Sequence, residues 1–75
     1  MTDKEVALAA CDDVRNDRFA KVAGIFMDDY SMAEGKPDAN AARKASGERF
    51  KAVLKVYKAA HDASRALVGE AFPGE

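Results

Sequence analysis

Apolar residues recur at three- and four-residue steps through two long segments, and a short stretch with glycine and proline divides them. In the first segment Leu8, Cys11, Arg15, Phe19, Val22, Phe26 and Tyr30 fall on one stripe, which only Arg15 interrupts with charge. In the second, Phe50, Val53, Leu54, Tyr57, His61, Ser64, Leu67, Val68 and Phe72 do the same. Such spacing keeps side chains on one face of an α-helix. The divider is Ala33-Glu34-Gly35-Lys36-Pro37-Asp38. Gly35 suits a left-handed backbone after a helix, and Pro37 cannot continue one.

The pattern predicts helices over residues 3–33 and 38–70. Thr2 with Glu5 has capping-box spacing, in which each side chain bonds the other's backbone N–H. Asp38 is the expected cap of the second helix. The second helix should fray at Gly69 and stop before Pro73. The polar run 12–17, with three aspartates, is the weak point of the first helix. One continuous or kinked helix is the expectation there, and a break into two helices is the alternative. Two stripes joined by a short turn make an all-α antiparallel hairpin in one domain, residues 1–75.

A turn centred on Lys36 sets a register. It places Val22 beside Phe50, Phe26 beside Ser46 and Gly47, and Asp29 near Arg43. Cys11 falls opposite His61, and Arg15 opposite Tyr57. Arg15 needs a partner if buried, with Tyr57 and Asp12 as candidates; otherwise its stem packs inside and its guanidinium reaches out. Met27 and Met32, near the turn, fill gaps or form an adaptable contact.

A second pattern runs along the other side of the second helix. Ala45, Ala52, Ala59 and Ala66 are one heptad apart, with Val56 and Ala63 between them. The first helix has a weaker counterpart in Ala9, Ala20, Ala23, Gly24 and Met27. A hairpin uses one stripe per helix, so a second seam asks for a second partner. The expectation is a homodimer pairing through Ala45, Ala52, Val56, Ala59, Ala63 and Ala66 into a four-helix bundle. The plain alternative is that alanine is simply the best helix former on exposed surface.

Composition adds little and removes some classes. Sixteen of the 75 residues are alanine, 48% are hydrophobic and 33% charged, which describes a folded helical chain rather than a disordered one. A single cysteine excludes an internal disulfide, so association is the remaining route to stability for so short a chain. No apolar run reaches membrane-spanning length, and the charged N-terminus has no signal-peptide core after it. The expected location is the cytoplasm.

Net charge is −1, but charge is segregated. Residues 1–35 hold four Lys/Arg against eight Asp/Glu, whereas residues 36–58 hold seven against two. Within the basic block Lys44, Lys51, Lys55 and Lys58 share one helical edge. Such a row can dock an acidic protein surface or track a phosphate backbone. The alternative is a solvated edge paired with acids of the first helix or of a dimer mate.

No motif for catalysis, metal or phosphate binding stands out. A Cys11–His61 pair could act as nucleophile and base, or as two metal ligands. Nothing supplies an oxyanion hole or a third ligand, and both lie on the packed stripe. The expected function is a non-catalytic interaction module, such as a regulator, adaptor or inhibitor. It needs no cofactor and no metal, and its partner is a protein through the lysine edge. A nucleic-acid-binding dimer using the same lysines is the alternative.

Overall fold

A computed structural model describes all residues, 1–75. Helix α1 spans Asp3–Met32 and helix α2 spans Ala39–Ala71, with no strand. They pack antiparallel as the stripes require. Thr2 and Glu5 form the expected capping box: the Thr2 hydroxyl accepts from the Glu5 N–H, and the Glu5 carboxylate accepts from the Thr2 N–H. The Lys4 N–H, another unpartnered donor of that first turn, is taken by Glu75 from the far end of the chain.

Helix α1 runs unbroken through residues 12–17. Two of its three aspartates there find partners away from their own backbone. Asp12 reaches α2, and Asp17 pairs with Lys21 one turn on. Local side-chain-to-backbone bonds, which would favour a break, are therefore absent there.

Two successive turns connect the helices. Lys36 N–H bonds the Ala33 carbonyl, and Ala39 N–H bonds the Lys36 carbonyl. Gly35 occupies the third position of the first turn with φ +77°, a left-handed conformation open to glycine. Pro37 is second in the next turn, where its fixed φ is suited. Asp38 does not cap α2 with its side chain. Its contribution is the backbone carbonyl, which accepts from Ala42.

One expected pair is corrected. Asp29 meets Ser46 and Arg49 rather than Arg43, three positions further along α2. The level along the hairpin is the expected one, since Phe26 lies over Gly47 and Arg43 reaches the Tyr30 carbonyl; Asp29 and Arg43 instead face opposite sides of the helix pair. Arg43 stands beside the last turn of α1. It bonds the Tyr30 carbonyl and Glu34, and its guanidinium lies 3.9 Å from the Tyr30 ring centroid. Phe26 stacks on Phe50 at 5.0 Å and lies over Gly47 and Ser46. A Cβ added to Gly47 would meet the Phe26 ring at 4.0 Å, an ordinary contact, so packing does not demand glycine there.

Two helices make one layer. The Cα trace measures 59 × 18 × 8 Å, and its radius of gyration is 17.3 Å. A compact chain of this length has about 11 Å. Only Ala33 and Ser46 are buried. Stripe residues such as Phe19, Val22, Phe50 and Tyr57 are half-buried. Leu67 is off the stripe and 62% exposed, because it lies a quarter-turn from the line of Ser64 and Val68.

Candidate functional site

The Cys11–His61 pair is brought to one place: both border a shallow groove with Val14, Arg18, Tyr57, Ala60 and Ser64. Yet His61 is directed elsewhere. Its Nε2 lies 2.6 Å from Asp12 Oδ1, and no hydrogen bond joins it to Cys11. The imidazole is 91% hidden, with Nδ1 3.6 Å from Asp62. Arg65, rather than Arg15, supplies the guanidinium, donating to Asp12 at 3.0 Å. Arg15 turns its head to the neighbouring Asn16 instead. The bond from His61, reinforced by Arg65, holds the Asp12 carboxyl below its ordinary value. Lys58 does the same to Asp62. This cluster clasps α1 to α2. Nowhere do three His, Cys, Asp or Glu side chains gather in a way that could hold a metal ion.

All four lysines of the predicted edge are exposed. Lys51 pairs with Glu48 and Lys58 with Asp62, both within α2. Lys44 and Lys55 have no ionic partner. Pairs this exposed hold little free energy.

Ala45, Ala52, Ala59, Ala63 and Ala66 are exposed, and Val56 is 64% exposed. They look away from α1, as their spacing requires. What sequence reasoning missed is a face built jointly by the two helices. Val22, Ile25, Phe26, Phe50 and Val53 line a groove between them, which continues past Asp29, Ser46 and Arg49 to Met32 and Ala42. The Cys11–Val14–Arg18 groove belongs to the same side, because Arg18, Val22, Ile25, Asp29 and Met32 follow one another at three- and four-residue steps. On this side Val14, Ile25, Met32 and Leu67 are 56%, 61%, 69% and 62% exposed. The opposite side carries Arg43 on Tyr30, Arg65 on Asp12, and the lysine edge.

A heptad signal for the grooved face exists. Cys11, Arg18, Ile25 and Met32 step by seven, as do Ser46, Val53, Ala60 and Leu67. Arg18 and Ser46 hide it from a search for apolar residues alone.

No helix is long and apolar enough to cross a membrane. Comparison with protein-family models, curated proteins and solved structures finds no match to this chain.

Proposed function

We propose that the protein is a non-catalytic helical interaction module that self-associates and docks an acidic protein surface through Lys44, Lys51, Lys55 and Lys58. The observation that carries this reading is the missing core. The chain exposes 5450 Å², where a compact chain of 8.1 kDa exposes about 4,500 Å². A single layer of two helices leaves its apolar side without a cover, and domains are stable as two packed layers. Pairing of two hairpins supplies the second layer as a four-helix bundle. A regulator, adaptor or inhibitor fits such a unit. Sedimentation equilibrium at micromolar concentration tests the first half of the reading, which expects twice the chain mass. Changing the four lysines to glutamate tests the second half, and capture of the partner from host extract should be lost.

The unpaired Lys44 and Lys55 also suit a phosphate backbone, which favours nucleic acid as the second reading. Salt discriminates the two. Nucleic-acid affinity falls steeply and log-linearly with salt, by counterion release. Absence of binding to duplex or single strands at low salt would remove it.

A further inference from the structure

We infer that a second copy of this chain covers the grooved face of α1 and α2, lying end over end on it, with the turns at opposite ends. This rests on the self-association proposed above and names the surface and the geometry that carry it.

Area is the first argument. The flat side of the slab measures 59 × 18 Å between Cα extremes, a footprint of about 1,000 Å². A stable interface takes about 800 Å² from each partner. One such face meeting itself is sufficient, and a self-complementary patch implies two-fold symmetry.

Side-chain placement is the second argument. Val14, Ile25 and Met32 of α1 and Leu67 of α2 stand more than half exposed on this side. On α2 the three- and four-residue steps from Val53 to Val56, Ala60, Ala63 and Leu67 give the alternation that interlocks with another helix. Val56 and Ala63 of the alanine row therefore belong to the edge of this face. Ala52 and Ala59 lie behind it.

Charge chooses the orientation. Residues 17–58, the half of the hairpin around the turn, hold nine Lys/Arg and six Asp/Glu. The open half, residues 1–16 and 59–75, holds three Lys/Arg and seven Asp/Glu. Turn on turn would set like charge on like at both ends. End over end sets the two net charges of each copy against those of the other in opposite order, with the four edge lysines acting across the 8 Å thickness of the slab rather than inside the contact. Full overlap then puts the two-fold axis near Val56, at the middle of α2. It lays Val14 over Ile25 of the second copy. The lysine edge, on the other side of α2, stays free in the pair.

Sedimentation equilibrium and far-ultraviolet circular dichroism of the full chain, wild type and variants, test this. Wild type should be a dimer. Ile25→Glu should weaken association at least tenfold with helix content kept, because the side chain is exposed in the single hairpin. Ala52→Glu should leave association unchanged. A monomeric wild type would overturn the self-association reading and this inference with it. A dimer split by Ala52→Glu and untouched by Ile25→Glu would overturn the inference alone. Orientation is read with single cysteines in a Cys11→Ser background. Under mild oxidation Val56→Cys should link two chains across the axis, since a disulfide needs Cα atoms within about 7 Å. Leu67→Cys, far from the axis, should not. Failure of Val56→Cys to link, or linking at Leu67→Cys, would overturn the end-over-end arrangement. Should Ile25→Glu lose its helices, an unchanged Ala52→Glu dimer together with the Val56→Cys link decides for the inference, and the absence of either decides against it.

Discussion

The Phe26 ring lies on the Phe50 ring with centroids 5.0 Å apart and planes inclined by 28°. This stack joins the two helices, yet neither ring is fully buried. Truncation of a buried phenylalanine to alanine costs about 3–5 kcal/mol. A half-covered ring loses less, and Phe50→Ala should cost about 2 kcal/mol in a urea titration. A loss below about 0.5 kcal/mol would mean that the stack contributes nothing to holding the helices together.

The clasp of Asp12 with His61 and Arg65 predicts acid sensitivity. Both Asp12 and Asp62 are lowered from 3.8 in the folded chain, Asp12 first by its bond from His61 and Asp62 first by its bond from Lys58. A carboxyl lowered by folding contributes stability that is present above its unfolded pKa of about 4. That contribution drains away as pH falls from about 4 through the folded values. Thermal melts should therefore drop below about pH 4, and Asp12→Asn should flatten the drop while lowering the melting temperature near pH 7. An Asp12→Asn chain with an unaltered acid profile would assign the sensitivity to other carboxyls.

Gly35 carries a backbone demand free of packing. Its φ is +77°, and an added Cβ would find nothing within 4 Å. Gly35→Ala should thus cost about 1 kcal/mol from backbone strain alone. Equal stability of the two chains by thermal melting would show that the turn relaxes at no cost.

The lysine edge should be separable from folding. Glutamate at Lys44, Lys51, Lys55 and Lys58 removes two ion pairs that are exposed and contribute little to folding. Helix content by circular dichroism should stay near that of wild type while partner binding is lost. A melted hairpin would assign the lysines a structural role.

The hairpin was legible in the sequence because its signals are local. Thr2 and Glu5, Gly35 and Pro37 act within a few residues, and the stripe repeats every turn. Relations across the hairpin were harder to read. Asp29 and Arg43 stand at one level yet face opposite sides of the hairpin, a rotation that a register of residue numbers does not encode. Asp12 takes Arg65, one turn beyond His61 on α2, while Arg15 of its own helix turns to Asn16. The grooved face was hidden more deeply. Each of its two halves is a weak heptad, broken by Arg18 in α1 and by Ser46 in α2. Only the joining of Ile25 and Val53 across one groove makes a surface of them.

Arg18 is the residue that most opposes the pairing inferred here. It borders the groove beside Val14 and Cys11, a charged position in a row of apolar ones. Full overlap of two end-over-end hairpins brings it close to the axis, near its own copy. Two guanidiniums there repel, and each must turn its head out to water while only its stem packs. Arg18→Leu removes the repulsion and fills the gap with a side chain that repeats the seven-residue step from Cys11 to Ile25. It also keeps a good helix former. The dimer should tighten at least tenfold, equivalent to about 1.4 kcal/mol. A dilution series followed by sedimentation reads the change directly. Weaker association of Arg18→Leu than of wild type would mean that Arg18 bonds an acidic group across the interface, and would move the axis away from it.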